Sequence, residues 1–259
     1  MSNLPVLMKR ELRAYFHSPI AYVVIVIFTV ISGFFFYSGM SLYGIVSFEM
    51  SRTAQAMGAQ ELTLADFVMR PLFGNLSIVM LMMMPLLTMR LFSEEMMTGS
   101  IELLYTWPIK DSEVLLGKYL AALLMFFFMM APMISFTGFI WWYSDPPWLT
   151  IACGYLGLFL LGAAFLSFGL FVSTLTRNQI VSSALSFGAL LVFWIISWAA
   201  GEKSGVLPDV LNYLSILKHY DQFSKGVIDT RDVIYYFSFI FMFLFLTFRS
   251  LESRSFTRG

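Results

Sequence analysis

Three carboxylates, Glu94, Glu95 and Glu102, stand close together between two long apolar runs, within the stretch Ser93–Lys110. Ionised, they can only accept hydrogen bonds, so their chemistry is charge-assisted pairing with Arg or Lys on a facing surface. Met97, Ile101, Leu104 and Tyr105 recur beside them at helical spacing and give a short apolar face. That spacing gives the stretch a small amphipathic pattern of its own. A structured lever of this size, joining two apolar spans, suits a protein whose membrane helices must be pushed from one side. For any single one of the three carboxylates, plain solvation is the alternative.

Other chemistry is sparse. His17 and His219 supply the imidazoles and lie far apart, while Cys153 is the single cysteine, so neither a disulfide nor a thiolate cluster forms within the chain. Met80, Met82, Met83, Met84 and Met89, with Met125, Met129, Met130 and Met133, make a thioether ladder for soft copper conceivable. No His or Cys joins them, and adaptable packing is the simpler reading, so no metal site is assigned. Gly117-Lys118 is followed by Tyr119 and has Ser112 where a phosphate-cradling loop needs its first glycine, so it is no nucleotide site. No serine–histidine or paired-aspartate arrangement sits within a span, which argues against intramembrane hydrolysis. The formal net charge of +0 offers nothing to nucleic acid.

Membrane helices must position these residues. The chain has 259 residues, of which 59% are hydrophobic and 12% charged, and its mean hydropathy is +0.78. One soluble core cannot bury so much apolar surface. Six continuous runs, near Ile20–Leu42, Leu72–Leu91, Val114–Trp142, Thr150–Leu175, Ile180–Ala200 and Val233–Phe248, approach or exceed the length needed to cross a bilayer. A closed barrel would show short alternating segments instead. The expected fold is an all-α membrane protein with a single domain, 1–259. The first run is too long for a signal-peptide core and reads as an uncleaved span.

Lys9, Arg10, Arg13, Arg90, Lys110, Lys118, Arg177, Arg249, Arg254 and Arg258 fall on the side of both termini. Arg52, Arg70, Lys203, Lys218, Lys225 and Arg231 fall on the other, which favours cytoplasmic N- and C-termini. Ahead of the first span, Leu4–Phe16 reads as a helix lying in the inner interface, with Lys9, Arg10 and Arg13 on its polar side. Ser18-Pro19 then bends the chain, and Pro85 and Pro132 permit kinks within spans. Gly154, Gly157, Gly162, Gly169, Ser182, Ser186 and Gly188 suit close helix packing within or between subunits. In Gly201–Asp232, Leu207, Val210, Leu211, Leu214 and Leu217 keep helical spacing, and Phe223, Val227 and Ile228 resume it. That pattern fits two short helices re-entering the outer leaflet, or a cap packed on the bundle. No ionisable residue lies well inside a span, which argues against ion-driven transport and against a pore with charged rings.

The order Glu94-Glu95-x-x-x-Gly99-Ser100-Ile101-Glu102-Leu103-Leu104-x-x-x-Pro108, followed by Asp111-Ser112-Glu113-Val114-Leu115-Leu116-Gly117-Lys118-Tyr119, resembles the cytoplasmic signature of type-2 ABC transporter permeases. The segment His219–Asp232 is similar, more narrowly, to the permease of gliding-motility-type ABC transporters. The resemblance covers nearly the whole chain. It implies a permease subunit, an exporter, that pairs with a second permease, either a copy or a related chain. It further implies a separate cytoplasmic ABC ATPase that binds ATP and Mg, so this chain itself has no cofactor and is no enzyme. The coupling helix that docks on that ATPase would fall on roughly Met96–Tyr105, and Glu94, Glu95, Met97, Gly99, Ile101, Glu102, Leu104 and Tyr105 would serve the coupling. Members of the gliding-type branch are accompanied by a membrane protein with a large extracytoplasmic part, and the implied location is the inner membrane. Two other readings stand beside this one: a membrane scaffold of a multiprotein assembly without a substrate, and a copper-site maturation permease. An apolar path is compatible with lipids, lipid-linked glycans, peptides or amphipathic drugs.

Overall fold

The computed structural model describes residues 4–53, 64–100, 110–143, 147–200 and 205–256. Every regular element among them is helical. Helix α1, Leu4–His17, is followed after Ser18 by α2, Pro19–Thr53. Pro19 opens α2 where its missing N–H costs nothing. A π-helical turn, Ala65–Met69, leads into α3, Arg70–Thr88, and a short turn leads on to α4, Ser93–Thr98. Then come α5, Asp111–Met130; α6, Met133–Tyr143; α7, Trp148–Leu175; and α8, Gln179–Ala200. Two short helices, α9, Val206–Leu214, and α10, Ile216–Ser224, precede the last, α11, Thr230–Phe256.

Among the described residues, six helical stretches are long and apolar enough to cross a bilayer: Pro19–Glu49, Phe67–Thr98, Asp111–Tyr143, Trp148–Leu175, Gln179–Trp198 and Thr230–Ser253. They match the six expected runs, with one notable difference. The sequence reading ends the first span at Leu42, whereas α2 continues to Thr53. The polar residues after Tyr43 include no proline, and an established helix extends through them one hydrogen bond at a time.

The two internal prolines behave differently. Pro85 is carried inside an unbroken α3. Pro132 interrupts the third span, so that α5 stops at Met130 and α6 restarts at Met133. Beside that break the Tyr155 hydroxyl donates to the Met133 carbonyl at 2.8 Å, and the Ser135 hydroxyl donates to the Pro132 carbonyl at 2.6 Å.

The fourth span is the hub. The apolar window of α7 is 83% buried, against 22%, 17% and 28% for the first, fifth and sixth spans. Its small residues explain how neighbours approach so closely. A Cβ on Gly162 would stand 2.4 Å from the Phe126 ring, and one on Gly169 would stand 2.1 Å from the Thr88 hydroxyl oxygen. Most of the methionines noted above, including Met80, Met84, Met125, Met129 and Met133, are buried in the core these helices share.

Candidate functional site

Four of the described charges, on Arg10, Glu11, Glu95 and Lys118, meet at one junction near the start of the third span. Val114, Leu115, Ala121, Ala122 and Met125 form the buried stripe of α5, and Lys118 lies on that same stripe, 2% exposed. Its neighbour Gly117 explains how α1 reaches this face, because a Cβ there would sit 3.0 Å from the Leu7 Cβ. Helix α1 thus packs along α5 with Leu7 and Glu11 buried. The Lys118 ammonium donates to Glu95 at 2.8 Å and to Glu11 at 3.2 Å, and it lies over the Phe92 ring at 5.2 Å. Arg10 completes the group, donating to Glu11 at 2.6 Å and to Glu95 at 3.2 Å. Two cations and two carboxylates from α1, α4 and α5 therefore balance one another in a partly dry setting. Removing any one leaves a buried charge short of a partner.

Further ties surround this group. The Ser93 hydroxyl, at the first residue of α4, donates to the Ser173 carbonyl of α7 at 3.0 Å. Tyr15 of α1 donates to the Leu87 carbonyl in the last turn of α3 at 2.8 Å, and Arg90 donates to the Ser18 hydroxyl at 3.2 Å. Between α1 and α4 opens a cleft of about 520 Å³ whose charged lining includes Arg10, Glu11, Arg90, Glu94, Glu95 and Lys118. Burial alone would raise the Glu11 carboxyl. The Lys118 ammonium and Arg10 outweigh that effect and hold Glu11 below its ordinary range. Burial pushes the Tyr15 phenol up, so it stays a hydrogen-bond donor.

The candidate residues divide accordingly. Glu95 faces inward, onto Lys118 and Arg10 of its own chain, rather than outward. Glu94 is half exposed, with Arg90 at 4.0 Å. Met97 is 60% exposed, an apolar side chain left open on the surface of α4. Gly99 adopts φ +73°, a left-handed conformation suited to glycine, and it ends α4 at Thr98. The helix expected over roughly Met96–Tyr105 is therefore interrupted at Gly99. Ile101, Glu102, Leu104 and Tyr105 lie outside the described residues. Of the basic residues on α1, Lys9 and Arg13 are exposed, while Arg10 is drawn into the junction.

Sequence reasoning missed Lys118 as a partner for Glu95 and missed Glu11 altogether. A signal was present: Lys118 lies four residues from Val114 and from Ala122, on a face that is otherwise wholly apolar. A lone lysine on a packing stripe needs carboxylates brought to it.

A second polar cluster sits at the opposite end of the bundle. His219 of α10 pairs with Asp232 of α11 at 2.6 Å, and its other ring nitrogen lies 2.9 Å from the Tyr213 carbonyl of α9. Tyr235 and Tyr236 of α11 donate to the carbonyls of Leu214 and Ile216, fastening the α9–α10 turn. Among the described residues, no group of three or more His, Cys, Asp or Glu is arranged to hold a metal ion.

Among the described residues, a helical bundle with six apolar spans defines a multi-pass membrane protein. Residues 6–251 match the family model described as ABC-2 family transporter protein, and the chain belongs to that family. It is accordingly a transmembrane subunit of an ABC transporter, a membrane component whose partner is an ABC ATPase. No curated protein matches it in a sequence search.

Proposed function

We propose that this permease receives the stroke of a separate cytoplasmic ATPase, which binds ATP and Mg, through α4 and the segment after it, and that the stroke moves substrate outward. The observation that carries this reading is the fastening of α4. One short helix is bonded to α1 through Arg10, to α5 through Lys118 and to α7 through Ser93. A push on α4 is therefore delivered to three elements at once, while Met97 remains open as a contact for the pushing surface. In this reading Glu94, Met97 and Gly99, with Ile101, Glu102, Leu104 and Tyr105, serve the ATPase contact, and Glu95 serves transmission within the chain. Helix α1 lies in the inner interface, both termini are cytoplasmic, and α9 and α10 enter the outer leaflet. The thinly covered first, fifth and sixth spans are the faces on which a second permease would pack. Resemblance alone favours the gliding-type branch, a companion with a large extracytoplasmic domain, the inner membrane and the export direction.

The test uses the permease co-expressed with its ATPase. Met97→Cys, in a Cys153→Ala background, should react with an impermeant maleimide only in inverted vesicles. Met97→Lys should leave the permease folded and lower permease-dependent ATP hydrolysis by about tenfold, equivalent to ~1.4 kcal/mol of lost contact. Labelling of position 97 from outside intact cells would overturn the reading.

A further inference from the structure

We propose that His219 and Asp232 form a proton-binding latch that closes the α9–α10 cap onto α11, and that losing one proton releases it. The argument is a count of protons. The Tyr213 carbonyl can only accept, so the 2.9 Å contact to it requires a proton on His219 Nε2. The 2.6 Å contact between Nδ1 and Asp232 Oδ1 requires a second proton between those atoms. A neutral imidazole carries one N–H and an ionised carboxylate carries none, so together they cannot make both bonds. With the extra proton, whether the ring is imidazolium or the acid is protonated, both form. Without it, one of the two ties must be lost, and each leads to a different helix: Tyr213 belongs to α9 and Asp232 to α11.

The surroundings make this loss consequential. His219 is 8% exposed and Asp232 is 6% exposed, so water offers little replacement. Asp232 Oδ2 is buried with no hydrogen-bond partner among the described residues, where the carboxylate leans on His219. The imidazole lies flat on the Tyr235 ring, centroids 3.8 Å apart, with Tyr213 edge-on at 5.5 Å, so it has little freedom to turn towards another partner.

No other described charge competes for the pair. Helix α9 presents Tyr213 beside the Asp209 of its first turn. Helix α10 carries Lys218, Tyr220 and Asp221, the last paired with Lys225. Besides Asp232, α11 presents Tyr235 and Tyr236, whose hydroxyls are committed to backbone carbonyls. Asp229 bonds the Arg231 amide, and Arg231 is exposed. Of the other helices packed on α10, α8 has no titratable side chain, α3 has only the exposed Arg70, and α7 has Cys153 and the already bonded Tyr155. Because the cap follows the fifth span and α4 follows the second, they occupy opposite ends of the bundle. The latch therefore responds to the compartment that α4 does not face.

The experiment is a distance measurement on the full chain in lipid nanodiscs. Spin labels are placed at Val210→Cys on α9 and Phe237→Cys on α11, both exposed positions, in a Cys153→Ala background. The wild-type latch should give one narrow distance at low pH. A second, longer population should grow as pH rises, by up to about tenfold per pH unit, the limit for a single proton. Asp232→Asn provides the discriminating variant. Its amide N–H can donate to a bare Nδ1 while Nε2–H still reaches Tyr213, so both ties persist in a neutral site and the distance should stay narrow at every pH. His219→Phe should show the longer population throughout. An unchanging wild-type distribution across roughly pH 5 to 9, a range wider than the roughly pH 5 to 8 window of an ordinary imidazole, would overturn the proposal. So would an Asp232→Asn protein that keeps the wild-type response.

Discussion

Replacing Lys118 with Met tests whether the charged junction holds α1, α4 and α5 together. Methionine keeps an unbranched apolar stem one atom shorter than lysine's, so the change removes the ammonium, with its two carboxylate contacts and its place over the Phe92 ring. Breaking a buried ion pair by deleting one partner costs about 3–5 kcal/mol. Here Arg10 still lies 2.6 Å from Glu11 and 3.2 Å from Glu95, which places the expected loss near the lower bound, ~3 kcal/mol. For a chain of this size that corresponds to a fall of roughly 6–12 °C in melting temperature. Glu95→Gln is milder, at about 1–2 kcal/mol, because Lys118 retains Glu11. The informative protein is the double variant. Lys118→Met with Glu95→Gln removes one charge of each sign and leaves Arg10 with Glu11 as an intact pair, so it should be more stable than Lys118→Met alone. Melting of the purified permease by intrinsic fluorescence reads all three. Strict additivity, with the double variant the least stable, would show that Lys118 and Glu95 do not act on each other and would refute the reasoning.

Two further outcomes follow from the same region. Gly117→Val adds bulk where even a Cβ would touch Leu7 at 3.0 Å, and overpacking of this kind costs about 1–3 kcal/mol. The separation of α1 from α5 should appear as faster thiol labelling at Leu7→Cys. Glu11, held below the ordinary carboxylate range by Lys118 and Arg10, contributes stability that is complete above that range and drains away as pH falls through its lowered value. The melting temperature should therefore drop as the pH is lowered beneath ~4.3, and Glu11→Gln should flatten that acid limb.

Much of the architecture was legible because bilayer thickness imposes a length that apolar runs reveal directly. The six spans, the proline that opens α2 and the two short helices after Gly205 all follow from local pattern. The end of α2 did not, since polar residues beyond Tyr43 lower hydropathy without stopping a helix. The junction was half legible. Glu95 and Lys118 were both conspicuous as residues, but their meeting depends on α4 lying against α5, and the sharing of Lys118 with Glu11 depends on α1 folding back along α5; nothing local specifies either pairing. Glu11 was hidden for the same reason, because among Lys9, Arg10 and Arg13 it looked like one more solvated charge. The His219–Asp232 contact joins residues on two helices across a turn, and it likewise needed the fold to bring them together.

The interlocking of the second and fourth spans limits how the molecule can move. Met80 and Thr88, both on the second span, occupy the spaces that side chains would otherwise fill on Gly162 and Gly169, like pins seated in a rail. Sliding α7 by a turn, or rotating it, would drive its own leucines and phenylalanines into those pins. The working displacement must therefore leave this pair as a stationary spine, with the thinly covered outer helices swinging about it.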